Sequence, residues 1–179
     1  MTHVDIGTPF GDSVTAMAPA SSHSPQVRTV FNGFPSAVAA ICAVVDGRPR
    51  GLVATSLTVG VSYEPPMVMF SVRNQSATWP VLRRASRLGI TILGETQSGV
   101  CRQIASTGDT QFADVDLVVA EHGSVFIGSG ALTWMDCEVA GELPSGDHTV
   151  ITLVIHEVGH ATRESPLLFH NGRFPHLER

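Results

Sequence analysis

Charge is scarce in this chain of 179 residues: Asp, Glu, Lys and Arg make up 15% of it, against a usual share of about 25%. Together with 43% apolar residues, that scarcity excludes a disordered chain and predicts a well-buried globule or an obligate oligomer. A basic excess is missing as well. The formal net charge of -5 and the pI near 5.8 leave no footprint for nucleic acid or an anionic membrane. Long apolar runs are also lacking. "VAAICAVVDG" and "VITLVIHEV" both break on polar residues, short of the roughly 18 that a membrane helix needs. The start, "MTHVDIGTPF", has no basic-then-apolar order of a signal peptide. Cysteines number only 3. Cys42, Cys101 and Cys137 are widely spaced in apolar surroundings, which predicts reduced core thiols in a cytoplasmic protein and not a disulfide framework. Catalytic triads, nucleophile elbows, paired carboxylates and internal repeats are absent too, so nothing asks for covalent or general-base chemistry.

What is present begins after a leader. Residues 1–27 are rich in Ser, Ala, Thr and Pro without a sustained apolar period, which predicts a flexible arm, with one domain over residues 28–179. From Phe31 the texture changes. "FPSAVAAICAVV" runs into Asp46-Gly47 and "PRGLVATSLTV" follows, an apolar pair around a strong hairpin signal.

The stretch Arg50 to Asn74 reads as two apolar strands around the Glu64-Pro65-Pro66 turn. Leu52, Ala54, Ser56 and Thr58 share one face of the first strand and Val53, Thr55, Leu57 and Val59 the other, so each face mixes apolar and small hydroxyl residues. The second, "MVMFSVR", is apolar enough to be buried on both sides. Thr78 is placed as the N-cap of a helix carrying Val81, Leu82, Ala85 and Leu88 at helical spacing, with Gly89 stopping it. "GITILGE" is a strand, Gln97 to Ala105 a short helix, and "STGDTQFADVD" a polar loop anchored by Phe112. "ALTWMDCEVAGEL" alternates and "HTVITLVIHEV" is rich in β-branched residues, so both are strands. Asn171-Gly172 marks a last turn. About seven strands and two short helices predict a mainly β fold, an antiparallel barrel with flanking helices.

One motif points elsewhere. His156-Glu157-Val158-Gly159-His160 matches the H-E-x-x-H zinc signature, which needs two His one helical turn apart. The residues before it favour a strand, where positions four apart lie roughly 13 Å from each other, too far to share a zinc. Gly128-Ser129-Gly130 lacks the flanking elements of a nucleotide loop and is read as a turn.

In this order, "FPSAVAAI", "GLVATSLTVGVSYEPPMVMFSV", "NQSATWPVL", "RQIASTGDTQFADV", "ALTWMDCEV", "SGDHTV" and "PLLFHNGRFPHL" resemble the flavin reductase-like family with the FMN-binding split barrel. Its members are short-chain NAD(P)H:flavin oxidoreductases that serve two-component monooxygenases. The resemblance covers Val30 to Leu177. It implies an antiparallel split β-barrel that takes FMN or FAD and NADH or NADPH, forms a homodimer, and hands reduced flavin by diffusion to a separate oxygenase. By the same resemblance Ala54, Thr55, Ser56 and Leu57 lie along the flavin ring. Ser71, Asn74, Ser76 and Thr78 receive the ribityl and phosphate groups; the residues' own chemistry adds Arg73 or Arg102 as a source of charge. His148 of the Gly146-Asp147-His148 segment orients the nicotinamide, Asp147 fixes its loop, and Phe169, Arg173 and Phe174 close over the ligands. A flavin-binding barrel without turnover, and a flavin-dependent oxidase or oxygenase of the same superfamily, are the alternatives. Three positions depart from the family pattern: Ala37 where Gly is frequent, Ile104 where Phe is frequent, and Gln111 where a basic residue precedes Phe112.

Overall fold

The structure is a computed structural model, and its described residues are 20, 24–106, 108, 110–162 and 164–177. Most of the expected arm at 1–27 lies outside them. The boundary at 27/28 runs through a helix, α1 (Pro25–Asn32), which opens on a proline and buries none of its residues.

Local turn chemistry sets the strand pairs. Asp46 and Gly47 both take positive φ, 52° and 72°, as a two-residue I′ turn requires, and join β2 (Ala39–Val45) to β3 (Arg48–Ala54). Gly146, at φ 64°, makes the tight connection between β9 (Thr133–Ser145) and β10 (His148–His160). Ahead of β2 lies the two-residue β1 (Ser36–Ala37). β4 (Thr58–Tyr63) and β5 (Pro66–Arg73) turn at the two prolines.

α2 (Trp79–Leu82), β6 (Leu88–Ile92) and α3 (Ser98–Ala105) come next, then the small hairpin β7 (Leu117–Val119) and β8 (Val125–Ile127). β11 (Leu168–Phe169) pairs back onto β1. Seven strands form one antiparallel sheet in the order β3-β2-β6-β9-β10-β5-β4. No helix among the described residues is long and apolar enough to cross a membrane.

Inside the curled sheet, Ile41, Phe70, Leu82, Ile90 and Ile151 are almost wholly buried. A second core of Val38, Ala40, Cys42, Cys101 and Ile104 lies on the other side of β2, covered by α3 and β8. All three cysteines are free and buried, and burial pushes the Cys42 thiol up to about 12.

Four local expectations are corrected. The strand buried on both faces is β2, whereas β5 alternates between buried Val68, Phe70, Val72 and half-buried Met67, Met69, Ser71. Arg50 to Asn74 holds three strands and not two, because the chain leaves β3 after Ala54 and crosses to the other end of the sheet before β4 begins at Thr58. Thr78 has helical angles and makes no side-chain cap. Ser76 is the cap, its Oγ accepting the Trp79 N–H at 3.2 Å. Finally, Gly89 lies inside β6 and stops no helix.

His156–His160 forms the end of β10, as the β-branched run before it predicts. His156 Nε2 there contacts Glu138 Oε2 across the strand pair at 3.0 Å.

Candidate functional site

The sheet is split where β3 and β5 approach, and Thr55–Leu57 crosses that opening. Ser71 on β5 pairs with Val150 of β10 on one edge, and on the other edge, beyond the end of β4, it faces the opening without a neighbouring strand. Ser56 supplies the partner: its Oγ donates to the Ser71 carbonyl at 3.1 Å and accepts the Ser71 N–H at 3.0 Å. One hydroxyl thus replaces two ladder hydrogen bonds. Ser56→Ala is expected to cost about 1 kcal/mol in urea denaturation. An unchanged midpoint would show that the seam is held by other contacts.

Along this seam runs a trough of about 620 Å³, within the roughly 300–1,000 Å³ typical of ligand pockets. One wall is β3 and the crossing, the other the end of β5. Of the residues singled out in the sequence, the trough brings together Ala54, Thr55, Ser56, Ser71, Ser76 and His148, with Arg73 between them. Leu52, Val53, Val72 and Gln75 line it too. Gln75 was legible in principle, since it lies in the same loop as Ser76, whereas the apolar three carry no mark that separates them from core.

His148 is the first residue of β10 and pairs directly with Arg73 at the end of β5, so their side chains share a face. The His148 Nδ1 lies 2.7 Å from Asp147 Oδ1. The hydrogen bond from the His148 ring holds the Asp147 carboxyl below the usual aspartate range. An ionised carboxylate only accepts, so Nδ1 carries the proton of this bond and Nε2 is left for a ligand.

The other predicted residues lie elsewhere. Leu57 packs on the inner core. Asn74 and Asp147 build the turn before His148. Thr78 offers its carbonyl to the N–H groups of Val81 and Leu82. α2 has only four residues, too short for the summed dipole that favours a phosphate at a longer helix.

On the far side of β2, Arg102 stacks over the Phe174 ring at 5.2 Å, and Phe174 lies 5.5 Å from Phe169. Arg173 closes the last turn, its carbonyl accepting the His170 N–H at 2.9 Å. Gln111 spends its Nε2 on the carbonyls of Gly51 (2.9 Å) and Ile104 (2.6 Å), tying the loop to β3 and α3. A second cavity of about 480 Å³, bordered by Trp134, Asp136 and Val158, holds none of the predicted residues.

Comparison with known proteins matches residues 31–178 to the model of the flavin reductase like domain. A flavin reductase of Pseudomonas putida is 31% identical over 82% of this chain and 86% of its own length. The reductase subunit HsaB of a flavin-dependent monooxygenase of Rhodococcus jostii is 30% identical over 84% of this chain and 76% of its own. Among solved structures, the Streptomyces globisporus NADH:FAD oxidoreductase SgcE6, in complex with NAD and FAD fragments, superposes with a TM-score of 0.79 at 29% identity, covering 86% of this chain and 92% of that one.

Proposed function

Because the chain belongs to the flavin reductase like domain family, we propose that it converts NADH, a proton and FMN or FAD into NAD⁺ and reduced flavin in the trough beside His148. Flavin reduction in support of a monooxygenase is the activity of this chain. The observation that carries the assignment to this trough is its composition: a wall from Leu52 to Ser56, facing hydroxyls, and one oriented imidazole beside one guanidinium.

These residues fit a flavin. Leu52, Val53, Ala54 and Val72 give a flat ring apolar contact, and Thr55, Ser71 and Ser76 bring hydroxyl groups to its polar edge or chain. Arg73 is the cation available to a phosphate or to developing negative charge. When bound, the nicotinamide gives a hydride and the flavin accepts it, so the protein's part is to hold, orient and admit. His148, fixed by Asp147, presents an Nε2 lone pair that an amide or ribose hydroxyl donor can meet.

The tail cluster of Phe169, Arg173 and Phe174 stands outside the trough. Its expected part in closing the site therefore falls to a second copy of the chain in a homodimer. Exposed Val30, Phe31, Phe34 and Tyr63 leave apolar surface for one.

The test is NADH oxidation by the purified protein, followed at the nicotinamide absorbance with and without FMN or FAD, on material sized by light scattering. A flavin-dependent rate from a dimer is expected. Tight flavin binding without a flavin-dependent rate would favour a binding protein, and full activity from a monomer would remove the tail from the site.

A further inference from the structure

Three hydrogen bonds converge on one residue next to the trough, two of them on its side chain. The Asn74 backbone N–H donates to the Asp147 carbonyl at 3.0 Å. Its Nδ2 donates to the Gly146 carbonyl at 3.2 Å, and its Oδ1 accepts from Thr149 Oγ1 at 2.9 Å. The bonds reach residues on both sides of His148 and leave His148 itself free.

Gly146 and Asp147 are all the chain has to connect two strands of 13 residues each, and the turn is solvent-exposed. Packing cannot hold it there, so polar bonds must. Asn74 fastens the backbone of the turn, the turn aims the Asp147 carboxylate, and the carboxylate fixes the His148 ring at 2.7 Å.

We propose that Asn74 is a positioning residue for hydride transfer, acting through Asp147 on the orientation of the His148 ring, and is not a flavin ligand. The proposal rests on the reading of His148 given above. Asn is suited to the position because it donates to one carbonyl and accepts from one hydroxyl at the same time. Aspartate keeps the acceptor but sets a carboxylate against the Gly146 carbonyl. Alanine loses both side-chain bonds.

The experiment compares Asn74→Ala, Thr149→Val, His148→Ala and the Asn74→Ala/His148→Ala pair. Thermal melts verify that each is folded, and Thr149→Val keeps the branched shape suited to a strand in case Asn74→Ala does not fold. Reduction of bound flavin by NADH is followed by stopped flow, and flavin affinity by fluorescence. ¹⁵N shifts of the His148 ring report its tautomer.

Asn74→Ala is expected to slow reduction about 10-fold, part of the roughly 100-fold that a 1 Å misplacement can cost. Flavin affinity should change less than about 2-fold, and the ring shifts should move toward a tautomer mixture. Thr149→Val should act in the same direction and more weakly. In the His148→Ala background Asn74→Ala should add nothing, because residues acting through one another are non-additive.

Loss of flavin affinity at an unchanged reduction rate would make Asn74 a flavin ligand and overturn the proposal, as would an effect fully additive with His148→Ala. His148→Ala slow with Asn74→Ala unchanged would overturn this proposal alone. An unchanged His148→Ala would remove the reading of His148 on which it rests.

Discussion

Replacing His148 by alanine is expected to slow reduction of bound flavin by NADH about 100-fold, the scale of loss when an orienting group is removed from a bimolecular site, with flavin affinity nearly unchanged. The split follows from where the ring stands. His148 borders the trough at the β5–β10 end, its Nδ1 engaged by Asp147, while the apolar wall belongs to β3 and the seam to Ser56 and Ser71. On the proposed reading, removing the imidazole leaves the seat intact and takes away a hydrogen-bond acceptor for the incoming nicotinamide. Rapid-mixing measurements at saturating flavin test this, with chemical reduction by dithionite as the control that should not change. Glutamine at 148 keeps an acceptor on a flexible stem and should recover part of the rate. An NADH reduction rate equal to that of the unaltered protein would take His148 out of the mechanism.

Much of the scaffold for that site was legible because the signals are local. Asp46-Gly47, Gly146-Asp147 and Asn171-Gly172 all form turns with residues at positive φ, and the need for φ > 0 is written in the residue types themselves. The strand reading of His156–His160 held for a similar reason: a β-branched run prefers an extended chain whatever surrounds it.

What was not legible depends on partners distant in sequence. Ser56 reads as one more hydroxyl in an apolar strand until Ser71, 15 residues on, is found beside it on an edge that β4 does not reach. Thr78 and Ser76 are both competent caps, and only the backbone angle at Thr78 decides between them. An apolar run such as "MVMFSVR" shows that it is buried, not on how many faces. β2 was given its second buried face by α3 and β8, elements that arrive more than 50 residues later. Arg102 is singled out for its charge and Phe169 and Phe174 through family resemblance, and their stacking on one another is a contact that no sequence spacing announces.

Gly89 puts the same point in a form that can be measured. Read from sequence, it ends a helix, and alanine there should cost about 1 kcal/mol, the penalty for a β-carbon at a left-handed helix end. In the fold it lies in β6 between Cys42 of β2 and Asp136 of β9. A β-carbon added to it would fall 2.2 Å from the Val125 carbonyl oxygen and 2.7 Å from the carbonyl carbon. The obstacle is backbone, so no rotamer change relieves it, and the β7–β8 hairpin would have to lift off the sheet and open the second core around Val125. Gly89→Ala is therefore expected to destabilise by about 3 kcal/mol, the upper end of overpacking costs. At roughly 2–4 °C per kcal/mol for a chain of this size, the melting temperature should fall by about 6–12 °C. Gly99, in α3 with nothing within 4 Å of an added β-carbon, supplies the contrast: Gly99→Ala should raise stability by about 0.4–1 kcal/mol. Calorimetry on the two variants gives opposite signs if close approach of β8 is what fixes glycine at 89. A Gly89→Ala variant as stable as the parent would mean that the hairpin does not press on β6, and the second core that covers β2 would then need another explanation.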